Sequence, residues 1–272
     1  MLLGMFVAAF DASGHERDQL CLVVAGFISS AKDWSSFDQE WKSRLSCDGI
    51  SYFHMVEFAH CVKQFKGWKG QEKRRMRLLG DLLEIIRRNV YRKFGAVVVN
   101  TTFKENLSDK AKEKFFLNAY SLAGRSCVAD VGNWAKEQVP RITTPIQYIF
   151  EDGDIGKGKL IERMNRDGYP TPDFRKKKDT IAPDGITLPA FTPLQAADFL
   201  AYEIFSSVKK TETTGSSDDL RWAMEEFIKT PIGHPGIYEV EDLERMDMMI
   251  KVSQEVERLA RLLGIPEKPG PE

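Results

Sequence analysis

The chain has 272 residues, of which 42% are apolar, 29% charged and 11% aromatic, and its formal net charge is −1. That composition is too apolar for a disordered chain, and the length is enough to bury a sizeable core. No uncharged apolar run approaches the roughly 18 residues of a membrane span, and near-neutral charge leaves only local patches for any nucleic-acid contact.

Taken in chain order, residues 5–12 read as an apolar strand. Residues 1–10 lack a basic start, which suits a buried first strand in a cytoplasmic protein better than an export signal. A turn at 13–16 leads to a second strand at 20–28, and the short connection predicts an antiparallel hairpin. Ser30 and Asp33 have capping-box spacing. Trp34, Phe37, Trp41 and Leu45 then recur at helical period, so one aromatic face should pack inward. Residues 51–60 are ambiguous between a short strand and a helical turn. Residues 71–90 form an amphipathic helix, 94–103 a β-branched strand, and 109–138 one long helix or two. A linker around Pro140 and Pro145 precedes a strand at 146–151, the turn Asp152-Gly153-Asp154, and a helix at 157–166.

Residues 168–190 hold four prolines and the run Arg175-Lys176-Lys177-Lys178, which predicts a connection with at most one short strand near 180–182. Thr192 suits an N-cap and Pro193 the first helical position, opening a helix over 193–209. Helices over 218–229 and 240–263 and a Pro/Gly end complete the chain. The expected plan is α/β, a mixed sheet flanked by helices over 1–210, with a C-terminal helical extension over 211–272. The apolar period of the last helix suits a homodimer. Cys21, Cys47, Cys61 and Cys127 form no C-x-x-C pair and are expected as buried small apolar residues.

Three elements carry acids that folding does not require. Asp11 ends an apolar strand, Glu151, Asp152 and Asp154 cluster after another, and Asp198 interrupts the apolar helix that follows Pro193. A carboxylate near a core is costly unless paired or metal-bound, and hard oxygens in this number suit Mg²⁺ or Mn²⁺. Gln195, Asp198 and Tyr202 share one helix face, and Ala196, Ala197 and Ala201 allow that helix close to the sheet. Each acid alone also has an ordinary reading: turn chemistry for Asp11, a solvated turn for the middle cluster, a loop hydrogen bond for Asp198. The middle cluster is no EF-hand, because Lys157 stands where the loop glycine belongs.

Together, Phe10-Asp11-Ala12-Ser13-Gly14, Phe150-Glu151-Asp152-Gly153-Asp154 and the segment Pro193-Leu194-Gln195-Ala196-Ala197-Asp198-Phe199-Leu200-Ala201-Tyr202 resemble the bacterial domain-of-unknown-function 3800 family, over about residues 5–208. Ala12 stands where many members carry Glu. The resemblance implies a ribonuclease-H-like fold, with acids on the first strand, after a later strand and on a C-terminal helix. It implies two-metal hydrolysis of phosphodiesters, with Asp11, Asp198 and one or two of Glu151, Asp152 and Asp154 holding the metal, Asp152 first among them, and all five acids as catalytic candidates.

Accessory candidates are Ser13, Gln195 and the His54-x-x-Glu57 pair, which can serve as ligand, general base or structural polar group. Lys66, Trp68, Lys69, Lys73 and Arg74 combine cations with an aromatic, as a nucleic-acid surface requires, and Lys176, Lys177 and Lys178 form a second basic run. Two functions follow: a Mg²⁺- or Mn²⁺-dependent nuclease or phosphodiesterase, or a non-catalytic adaptor on the same fold that binds nucleic acid or protein.

Overall fold

The computed structural model describes residues 5–15, 20–106, 108–114, 117–137, 145–214 and 221–229. Strands β1 (Phe6–Gly14) and β2 (Cys21–Ser30) form the antiparallel hairpin that the sequence predicts, with Phe10 opposite Gly26. Helix α1 (Ala31–Ser46) starts at the expected cap: Ser30 Oγ accepts from the Asp33 amide at 3.1 Å and donates to the Asp33 carboxylate at 2.7 Å. Its buried face is the predicted set Trp34, Phe37, Trp41 and Leu45. The ambiguous stretch resolves as a short helix, α2 (Met55–Ala59), followed by a 3₁₀ turn (Lys63–Phe65) and then α3 (Glu72–Asn89).

Strand β3 (Arg92–Val99) is shorter than its β-branched composition suggests. The chain turns into α4 (Asn100–Asn106) where Asn100 hydrogen-bonds the His15 carbonyl, and tertiary contact overrides strand propensity there. Helices α5 (Asp109–Lys114) and α6 (Ala119–Glu137) follow, then β4 (Gln147–Glu151) and α7 (Lys157–Arg166). The proline-rich connection holds three short strands rather than one: β5 (Asp173–Arg175), β6 (Thr180–Ile181) and β7 (Thr187–Leu188). Helix α8 (Pro193–Thr214) runs past the predicted end, and α9 (Trp222–Lys229) follows.

The main sheet has the order β3-β2-β1-β4-β5, antiparallel on the β3–β2–β1 side and parallel from β1 to β4 and β5. Side-chain alternation divides the core. Phe6, Ala8, Phe10, Tyr148 and Phe150 face α6 and α7. Val7, Ala9 and Ile149 face α1, α3, α8 and α9. The result is a three-layer α/β arrangement.

Residue 210 lies inside α8, and Ala223, Met224 and Phe227 of α9 insert into the main core, with the Phe227 ring 5.0 Å from that of Phe199. The described part of the expected C-terminal extension therefore belongs to the same packing unit. The predicted helix at 240–263, with the dimer surface it suggested, and most of the 140–145 linker lie outside the described residues. Cys21 and Cys127 are buried as expected, but Cys47 is exposed and Cys61 half-buried. Among the described residues no helix is long and apolar enough to cross a membrane.

Candidate active site

The parallel register pairs Phe10 with Phe150, so the next residues, Asp11 and Glu151, leave the sheet side by side. Both phenylalanines face α6, hence by alternation both carboxylates face α8. On that helix Ala196, Ala197 and Ala201 are fully buried. Their small side chains let the helix approach β1 and β2 closely, which brings Asp198 to the same place.

The convergence is centred on a lysine. Lys177 Nζ lies 2.5 Å from Asp11 Oδ2 and 2.9 Å from Asp198 Oδ1. Asp198 Oδ2 accepts from the Met55 amide at 2.5 Å, and Asp11 Oδ1 from the Ala12 amide at 2.7 Å. The two aspartates are only 3% and 5% exposed. Burial pushes Asp11 above the usual carboxylate range, Lys177 pulls it back, and Asp198 adds to the rise. Burial disfavours the Lys177 ammonium, but the attraction of Asp11 and Asp198 outweighs it, so Lys177 stays charged.

Glu151 and Asp154 stand beside this pair, where Lys177 and Lys176 offset only part of the cost of burial. Burial, then the charge of Asp11, pushes Glu151 up to about 8 and Asp154 up to about 7. Glu151 Oε2 and Asp154 Oδ2 are buried atoms without a hydrogen-bond partner. The buried Tyr120 hydroxyl is another such atom, and its pKa is raised by burial and by the nearby acids, Asp154 foremost.

Asp152 behaves differently. Its carboxylate turns to Lys157 at 2.9 Å and is 41% exposed, and that hydrogen bond holds its pKa below the usual range. Of the three clustered acids, all half-buried, Glu151 and Asp154 each turn one oxygen inward, whereas Asp152 forms an ion pair with Lys157. Asp152, one of the expected metal ligands, is thus engaged by Lys157. Gly153, at φ +150°, makes the sharp turn between them.

The segment that carries Lys177 is fixed on both sides. Asp152 N donates to the Arg175 carbonyl and Phe191 N to that of Lys176, at 2.8 and 2.9 Å. Gln195 completes the clamp: Nε2 donates to the Lys177 carbonyl at 2.7 Å, while Oε1 accepts from Trp41 Nε1 and the Phe53 amide at 2.8 Å each. Gln195 is thus a buried strut, with both its amide nitrogen and its amide oxygen bonded inside the protein.

A second layer reaches Asp198 from α2. His54 Nε2 lies 3.7 Å from Asp198 Oδ1, and Nδ1 lies 3.1 Å from Glu57 Oε1. Glu57 also accepts from Lys63 Nζ at 2.7 Å and the Tyr52 hydroxyl at 3.0 Å. Burial opposes its charge, but the bonds from Lys63, His54 and Tyr52 hold its pKa below normal. Glu57 thereby stays ionised and orients the imidazole. Cys61 and Lys63 adopt positive φ values of 52° and 49°, which shapes the loop that returns Lys63 to Glu57.

The basic candidates divide. Lys66, Lys69 and Lys73 are exposed. Trp68 is only 4% exposed and packs edge-on against Phe65, with ring centroids 5.5 Å apart, so it is a core residue and no base-stacking platform. Arg74 lies 3.9 Å above the Trp68 ring and pairs with Asp48 at 2.9 Å, so it is engaged within the protein. Of the second run, Lys177 enters the acid cluster, Lys178 is exposed, and Lys176 lies against the Gly153 turn. Ser13 lines a cavity beside the acids, together with His60 and Tyr202.

Lys177 is the residue whose role sequence reasoning missed. In a run of four cations, nothing local distinguishes the one that turns inward. As the side chains stand, no three His, Cys, Asp or Glu among the described residues form a group able to hold one metal ion. The sequence matches no family model, and no curated protein and no solved structure is significantly similar to it.

Proposed function

We propose that this protein is a Mg²⁺- or Mn²⁺-dependent phosphodiester hydrolase acting on nucleic acid, built on a ribonuclease-H-like sheet of the kind suggested by the resemblance to the domain-of-unknown-function 3800 family. The observation that carries the reading is the meeting of Asp11 and Asp198 at one cation, with Glu151 and Asp154 half-buried beside them. The antiparallel run that starts at β1 and the order of the acids along the chain support the same fold reading.

The residues fit a hard divalent ion by their chemistry. Four carboxylates face the two ammonium groups of Lys176 and Lys177, so full ionisation leaves a surplus of negative charge. Two carboxylate oxygens are buried without a donor. Asp11 and Asp198 would hold the ion, with Glu151 and Asp154 completing the oxygen set once Lys177 withdraws. When bound, such an ion lowers the pKa of a coordinated water and offsets charge on the leaving oxygen. Glu57 orients His54, whose Nε2 faces Asp198 and can carry a proton to or from the reacting oxygens. Gln195 and the Phe191 amide set the position of the loop from which Lys177 projects.

One observation favours a different reading, a non-catalytic binding module: Lys177 already occupies the place between Asp11 and Asp198 that an ion would take. A single experiment separates the two. The purified protein is incubated with single-stranded and duplex RNA and DNA in Mn²⁺, in Mg²⁺ and in EDTA, beside Asp198→Asn. The hydrolase predicts metal-dependent cleavage that is lost in Asp198→Asn while the fold persists. Cleavage that survives the substitution, or its absence on every substrate, refutes the assignment.

A further inference from the structure

Beyond the acid cluster, α8 continues as a polar stripe along a cavity of about 590 Å³. Tyr202 lies one turn beyond Asp198, Ser206 one turn beyond Tyr202, and Lys209 and Lys210 one turn further, all on the face that lines the cavity. The opposite wall is Ser13, two residues past Asp11 on β1, and the exposed His60 at the end of α2. At about 1.5 Å per residue, the stripe carries Lys210 roughly 18 Å along the helix from Asp198.

This wall has the chemistry of a single strand of nucleic acid. Lysines and hydroxyls suit phosphate oxygens, and the partly exposed rings of Tyr202 and Phe205 suit bases. The volume is that of a pocket for one ligand, with room for one or two nucleotides and none for both strands of a duplex. The two ends are electrically opposite. The acids repel phosphate, whereas the exposed Lys209 attracts it, so a strand is anchored at that lysine and led toward the acids.

We propose that the groove between α8, Ser13 and His60 is the strand-binding track of this protein, selective for single-stranded nucleic acid and anchored by Lys209. The proposal rests on the hydrolase reading for its direction, but it concerns binding alone.

The test is fluorescence anisotropy of the full chain with a fluorescein-labelled oligouridylate, in EDTA so that cleavage does not intervene. Lys209→Ala, at an exposed position, should bind about three-fold more weakly than the wild type at moderate salt. Removing one lysine–phosphate pairing on a single strand lowers the salt slope by about 0.7, and the slope of this variant should fall by that amount. Lys209→Arg should retain binding, and Lys32→Ala, an equal charge change on α1, should leave it unchanged. Unchanged affinity and slope in Lys209→Ala would overturn the proposal, as would equal affinity for a duplex or equal competition by polyglutamate. Lysine-dependent binding without cleavage in Mn²⁺ would refute the hydrolase and keep the track. Cleavage with lysine-independent binding would do the reverse.

Discussion

Lys177 is the point at which the electrostatics of the site are most open to test. Replacing it with methionine keeps the length of the side chain and removes the charge. Asp11 Oδ2 and Asp198 Oδ1 each touch Nζ, so they are at most about 5.4 Å apart. At an effective dielectric of about 20, two unit charges at that separation repel by about 3 kcal/mol. Protonating one aspartate instead costs about 4 kcal/mol at pH 7 and about 1.5 kcal/mol at pH 5, from an ordinary pKa near 3.9. In Lys177→Met the cheaper route sets the loss: about 3 kcal/mol at pH 7, by repulsion, and about 1.5 kcal/mol at pH 5, by protonation. The sign follows from linkage, because the variant's native state binds a proton that the unfolded chain releases, and it loses stability as pH rises. Urea unfolding of both proteins in EDTA at the two pH values measures it. Adding Mn²⁺ should then restore more stability to the variant than to the wild type, because the ion replaces the missing ammonium. Equal urea midpoints for variant and wild type at both pH values would refute the reasoning about paired charge.

Other outcomes follow from residues away from the site. Glu203 is fully buried on α8, and Arg221 Nη2 lies 3.1 Å from Oε1 without completing a hydrogen bond. Burial pushes its pKa up to about 7, only partly offset by Arg221. A carboxyl raised on folding weakens the protein as pH climbs from about 4.5 to about 7, so Glu203→Gln should flatten that decline and gain about 1–3 kcal/mol at pH 8, read by thermal melts across pH. Gly26 lies against β1, where an added Cβ would overlap the Ala9 carbonyl oxygen. Gly26→Ala should break the hairpin pairing and yield insoluble protein on expression. Trp68→Ala should cost about 3–5 kcal/mol in denaturant unfolding, as expected for a buried aromatic, and leave the affinity of the remaining folded fraction for oligouridylate unchanged.

Much of this protein is a matter of local pattern, and the sequence by itself determines it. The β1–β2 hairpin, the Ser30 cap, the aromatic face of α1 and the start of α8 at Pro193 each follow from neighbours within a few residues, through period, turn chemistry or capping. The acids on β1, after β4 and on α8 were visible for the same reason: each is a polar interruption in an apolar run. Only the tertiary structure decided how those acids are used. Asp152 turns to Lys157 while Glu151 and Asp154 each bury one oxygen, because the Gly153 turn sends adjacent side chains to different environments. Trp68 is buried by Phe58 and Phe65, although its basic neighbours suggested a surface. Lys177 is selected from its run by the clamp of Gln195 and by the low dielectric around Asp11 and Asp198. A cation's partner depends on which segments pack together and how much water they exclude, and no short window of sequence contains either quantity.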